Sequence, residues 1–172
     1  MNSAVQLALA LIKKYHLERP PGVYQLYRIA KSEGIVLTSF PFKGRVRGRY
    51  LRTGDGIAIL TVKKGLSRPE LKHMLAYGLG QHFMNASSGL YVHGYTAGEK
   101  ENAAEDFAAL ILLPPGACRV VGGFQEIHQV AGAFHIPPSL VRRRFDLEEW
   151  LKKHMLIIQE NIPSQQEAER PG

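Results

Sequence analysis

The stretch from residue 69 to about residue 85 most limits what this chain can fold into. Apolar side chains recur almost all round its helical projection: Leu71, Met74, Leu75, Ala76, Leu79 and Phe83. A helix with so little polar face has to be buried. Its start is marked locally. Ser67 stands three residues before Glu70, the spacing of a capping box, and Pro69 suits a first turn. Gly78 and Gly80 lie inside it, and each costs about 1 kcal/mol relative to alanine in a helix interior. Tertiary support or close packing has to compensate.

Ahead of this helix, residues 3–16 read as a first helix with Ser3 as N-cap. Pro20-Pro21-Gly22 breaks the chain, and residues 23–32 form a second helix carrying Leu26, Ile29 and Ala30, stopped by Gly34. The β-branched run 35–40 is strand-like and closed by Pro41. Residues 47–52 and 57–62 are two further strands, with Thr53-Gly54-Asp55-Gly56 as the hairpin turn between them. Together they make a small three-stranded sheet, antiparallel in part.

Residues 87–98 read as a turn-rich loop containing Tyr91, His93 and Tyr95. A fourth helix spans 101–113 and places Glu101, Ala104, Glu105, Ala108 and Leu112 near one face, where the alanines permit close approach of a neighbour. Pro114-Pro115-Gly116 ends it. Residues 125–134 and 138–145 form two short helices around a turn, a pattern that resembles a helix-turn-helix. Residues 146–158 make a last helix anchored by Trp150, and the polar tail 159–172 is expected to be disordered. The class is α+β and mostly helical, with a core over 1–122, a helical segment over 123–158 packed on it, and the tail 159–172.

A chain of 172 residues with 45% apolar and 22% charged residues is one ordinary soluble domain with room for a real core. Cys118 is the single cysteine, which excludes an internal disulfide framework and fits a reducing cytosol. The apolar run 4–12 lacks a positive lead, is followed by Lys13-Lys14, and is too short to span a bilayer. A cytoplasmic protein is the expectation. The net charge, 22 − 15 = +7, permits contact with nucleic acid. An extended strand puts Arg45, Arg47 and Arg49 on one face, and Arg142-Arg143-Arg144 form a second cluster. Arg45, Arg47, Arg49, Arg142 and Arg143 are therefore candidate nucleic-acid contacts, against the plainer reading of solvated basic faces.

Leu75-Ala76-Tyr77-Gly78-Leu79-Gly80-Gln81-His82-Phe83, followed by the run from Glu101 through Ala104, Phe107, Ala108 and Leu112 to Pro114, resembles the ImmA/IrrE family of metallopeptidases. The resemblance implies a zincin-like core with a short hairpin before the motif helix and a packed helical segment after it. An HExxH zinc site needs two imidazoles one helical turn apart, a glutamate base after the first, and a third ligand from a later helix. In this frame the two histidine positions fall on Tyr77 and Gln81, the base falls on Gly78, and the third ligand survives as Glu101. Glycine accepts no proton, and a tyrosine ligand would have to lose one whose ordinary pKa is about 10. The resemblance thus implies a scaffold without peptidase chemistry and without zinc.

Two further readings remain open at this stage. His73, His82, His93 and Glu105 supply alternative ligands for a rearranged zinc site with Glu101. In the plainer reading, Tyr77 and Gln81 hydrogen-bond the Glu101 carboxylate and no metal is needed. For function, the resemblance implies a phage- or mobile-element-associated regulatory protein that binds a repressor-like partner without cutting it. A basic nucleic-acid-binding regulator is the competing class, and steep salt dependence would mark it.

Overall fold

The computed structural model describes residues 3–85, 88–92, 99–115, 117 and 127–160, with side chains described outside 99–101 and 153–160. Among the described residues the order is α1 (Ser3–Lys14), α2 (Val23–Ser32), β1 (Ile35–Phe40), β2 (Val46–Arg52), β3 (Ala58–Lys63), α3 (Arg68–Phe83), β4 (Gly89–Val92), α4 (Glu99–Leu112), α5 (Ile127–Phe134) and α6 (Pro138–Glu160). The class is α+β, as the patterning predicts.

The sheet differs from expectation in one respect. It has four strands in the order β1-β3-β2-β4, with β1 parallel to β3 and the other pairs antiparallel. The fourth strand, Gly89–Val92, comes from the stretch read as loop. Four residues carry no visible alternation, and this strand exists because β2 offers it an edge. A bulge in β2 between Val46 and Gly48 shifts the register against β4. Gly48, Tyr50, Leu60 and Val62 turn toward the helices, while Val36, Phe40 and Leu90 stay exposed.

α3 is the centre of the molecule. Ser67 and Glu70 form the predicted capping box, with Ser67 N donating to Glu70 Oε2 at 3.0 Å. Every residue from 72 to 81 is buried. α4 packs along one side of α3, and α2, β2 and β3 along others. The two glycines face nearly opposite directions, about 200° apart around the helix. A Cβ at Gly78 would lie 2.3 Å from Leu60 Cδ2 on β3; one at Gly80 would lie 3.2 Å from Phe107 Cβ on α4. Each glycine removes the atom that would hold its neighbour away, so the helix is clamped between sheet and α4.

α5 and α6 join through a tight turn. His135 adopts φ 52°, and Ile136 N reaches back to Ala131 O at 3.0 Å, a six-to-one closure of the helix end. α6 is continuous from Pro138 to Glu160, where two helices, 138–145 and 146–158, are expected. An Arg144–Glu148 pair at 2.7 Å spans the expected break, and no glycine or proline interrupts the run. α6 packs on α4. Residues 161–172, most of the expected tail, and Cys118 lie outside the described residues. No helix among the described residues is long and apolar enough to cross a membrane.

Lys72 ties α5 to the core. Its ammonium is buried and donates to Phe134 O at 2.7 Å, the last carbonyl of α5, where a cation is favourable. Burial, with Arg68 nearby, pushes its pKa down from 10.5 to about 8. The folded state therefore sheds this proton at lower pH than the unfolded chain does. The sign follows: the unfolded state binds more protons between pH 8 and 10.5, so stability rises across that window. Urea unfolding of wild type should show this rise relative to Lys72→Met. Parallel curves for the two proteins would contradict it.

Candidate functional site

The arc of α3 between its two glycine contacts faces the crevice where α4 and β4 meet. His73, Tyr77 and Gln81 stand there, one turn apart, as their spacing requires. Gln81 Nε2 donates to Tyr77 Oη at 2.9 Å, so these two frame positions engage each other. His73 Nε2 lies 2.8 Å from Glu105 Oε2 on α4. Tyr91 on β4 closes the crevice: its ring sits 4.8 Å from that of Tyr77 and 5.2 Å from that of His73. Burial, reinforced by the Glu105 charge and a hydrogen bond to it, holds the Tyr91 phenol well above its ordinary pKa and therefore neutral. Glu105 thus takes donors from both His73 and Tyr91.

The side chain of Glu101 lies outside the described residues, and so does His93, so the expected hydrogen bonds to Glu101 are not part of the described geometry. His82 does not join this crevice. Tyr50 Oη lies 3.1 Å from its Nδ1, and Arg52 Nη2 lies 3.1 Å from Tyr50 Oη and 3.3 Å from the His82 carbonyl. Arg52 Nη2 also lies 3.4 Å from Nδ1, and because arginine only donates, that contact favours Nδ1 as the acceptor. Burial and the Arg52 charge push the His82 pKa down, against the opposing pull of Glu33. Glu33 is itself held by Lys14 at 2.6 Å and by the Tyr15 hydroxyl. His82 belongs to a structural network that joins β2 to the end of α3.

The alternative ligands are therefore split: His73 meets Glu105, while His82 is committed elsewhere. Among the described residues no three His, Cys, Asp or Glu side chains gather in a metal-holding arrangement. Nor does the motif frame fit zinc with a base beside it. Tyr77 and Gln81 satisfy one another, and position 78 points its missing Cβ into Leu60 rather than into the crevice. A carboxylate placed there would enter the core beside the sheet.

The expected arginine stripe does not assemble. Arg45 lies in the turn before β2; the bulge redirects Arg47, whose Nε lies 3.2 Å from Glu70 Oε1 on α3; Arg49 is exposed. The 142–144 cluster also divides. Arg142 is exposed, while Arg143 pairs with Asp106 at 2.6 Å and donates to Asn102 O at 2.9 Å. Arg144 is fully buried and donates to Leu113 O at 2.8 Å. Arg143 and Arg144 thus hold α6 on α4, an assignment that charge counting alone misses. The Asn102 and Asp106 spacing on α4, one turn apart, was the available signal. Arg45, Arg49 and Arg142 remain solvent-facing at separate places.

Scanned against models of known protein families the chain matches none, and a search of curated proteins finds no match.

The Gly78 contact yields a sign reversal. In wild type, Gly78→Ala gains about 1 kcal/mol of helix propensity, but forcing a methyl against buried Leu60 costs about 1–3 kcal/mol. It should lower stability on balance. In a Leu60→Ala background the cavity admits the methyl, and the same substitution should raise stability. Chemical denaturation of the four proteins measures both effects. Destabilisation of equal size in both backgrounds would show that Leu60 does not close this position.

Proposed function

We propose that this chain is a metallopeptidase-like scaffold of the ImmA/IrrE type that has given up zinc and hydrolysis and acts by binding a protein partner. The observation that carries this reading is the state of the motif frame. Gln81 donates to Tyr77 where two imidazoles would stand, and Gly78 is packed against Leu60 where the base would stand. Around that frame stand the buried motif helix, the later helix bearing Glu105 and the edge strand bearing Tyr91, an arrangement consistent with a zincin-like core. Among the described residues the crevice holds the Tyr77 and Tyr91 phenols, the Gln81 amide and a Glu105 carboxylate already paired with His73, and position 78 carries no carboxylate to act as the base.

The helical segment after the core is also in keeping with this reading. α5 and α6 are joined by a tight turn, and Arg143 and Arg144 turn inward to α4 rather than outward to a phosphate backbone. The partner is a repressor-like regulator, which rests on the resemblance, and the cytoplasm is the proposed compartment.

Metal analysis of untagged protein tests the first part: trace zinc far below one equivalent is expected, and stoichiometric zinc would overturn it. The scaffold is tested separately with Tyr77→His and Gln81→His combined, leaving Gly78 in place. Removing the Tyr77–Gln81 pair and supplying two imidazoles one turn apart should create a zinc site beside α4. A double variant that folds and still takes up no zinc would contradict the scaffold assignment.

A further inference from the structure

At the sheet edge opposite β4, β1 ends the sheet with no described strand beyond it. Its six residues, Ile-Val-Leu-Thr-Ser-Phe, carry no charge and no proline. Proteins ordinarily blunt such an edge with lysine, proline, a bulge or extreme shortness, because its unpaired N–H and C=O groups are a template for another strand. β4, the other edge, is blunted by its length of four residues. β1 has none of these devices.

Beside this edge runs α2, and between them lies a half-open groove of about 650 Å³. Tyr24, Tyr27, Arg28 and Lys31 line the groove from the helix, and Gly34 to Leu37 line it from the strand. The four helix positions are spaced i, i+3, i+4, i+7, so they form a single stripe. Tyr24 is 76% exposed and Val36 48% exposed. No described carboxylate lies within ion-pair distance of Arg28 or Lys31, whereas Arg47 and Arg143 are both paired. The groove therefore combines a strand edge with no described neighbour, two aromatic rings and two cations with no described carboxylate beside them.

We propose that this groove binds an extended, acidic peptide segment of a partner protein, which adds to β1 as a further strand. Main-chain hydrogen bonds to the edge supply the affinity, and alternate side chains meeting the α2 stripe supply the selectivity. The cations choose the sign of the ligand. They also select against a second copy of this chain. A two-fold pairing of β1 with its own copy is isologous and would bring Arg28 and Lys31 toward their duplicates, like charge against like charge. The groove is separate from the crevice around Tyr77, so this inference stands or falls independently of the metallopeptidase-like reading.

The test uses a fluorescein-labelled hexapeptide of alternating glutamate and valine, acetylated and amidated, with the lysine–valine peptide of equal length as comparison. Fluorescence anisotropy at low salt should show the glutamate peptide binding with a dissociation constant on the order of 100 μM, as suits so small an interface. Amide shifts in the labelled full chain should concentrate in β1 and α2. Arg28→Glu combined with Lys31→Glu, two exposed positions, should weaken the glutamate peptide by about tenfold or more and favour the lysine peptide instead. Sedimentation should show a monomer. Failure of the glutamate peptide to bind, unchanged binding in the charge-reversed protein, shifts elsewhere, or a dimer joined through β1 would each overturn the proposal.

Discussion

The clamp on α3 is the constraint from which the rest of the architecture follows. Gly78 lets the helix settle on Leu60, and Gly80 lets α4 settle on the other side through Phe107 and Ala104. Gly48 repeats the device in the sheet, where a Cβ would lie 2.6 Å from Met74 Cε. Three missing side chains thus bring the sheet, α3 and α4 into direct contact. The helix propensity lost at Gly78 and Gly80 is offset by burial of Leu75, Leu79, Leu60 and Phe107, which are fully enclosed. Because α3 is pinned on both sides, the arc bearing His73, Tyr77 and Gln81 has one direction left to face. That direction is the crevice between α4 and β4.

The same clamp governs what the crevice can do. A side chain at position 78 cannot be aimed at the crevice while its Cβ vector points into the sheet. Among the described residues, the polar groups that reach the crevice are matched to one another: Gln81 to Tyr77, and His73 and Tyr91 to Glu105. A buried polar set whose members hydrogen-bond one another stabilises an interior surface. The groove between α2 and β1 is a separate surface at the sheet's far edge.

Much of this was legible in the residues. The near-continuous apolar pattern of α3 announced its burial, Ser67 and Glu70 announced its start, and the two glycines announced that something would approach closely. Which partner approached each glycine was not legible, because that depends on the sheet and α4 being placed in three dimensions. The strand β4 was hidden by its length and by a turn-rich composition; only the edge of β2 makes it a strand. The arginine patterns misled for a related reason. Period-two spacing promised one face for Arg45, Arg47 and Arg49, but the bulge at the start of β2 turned Arg47 to Glu70. Arg143 and Arg144 looked like surface charge because their acceptors, Asp106 and the Leu113 carbonyl, lie more than thirty residues away in sequence. Long-range polar pairing of this kind leaves no periodic trace.

The central physical claim is that position 78 is closed by the sheet. Methyl-resolved nuclear Overhauser spectroscopy on the folded chain tests it most directly. Strong cross-peaks between the Gly78 α-protons and both Leu60 methyl groups, with no cross-peak from those protons to water, are the result expected from a Cβ position only 2.3 Å from Leu60 Cδ2. Gly78 α-protons in contact with water, and silent toward Leu60, would place this residue in an open crevice and contradict the clamp.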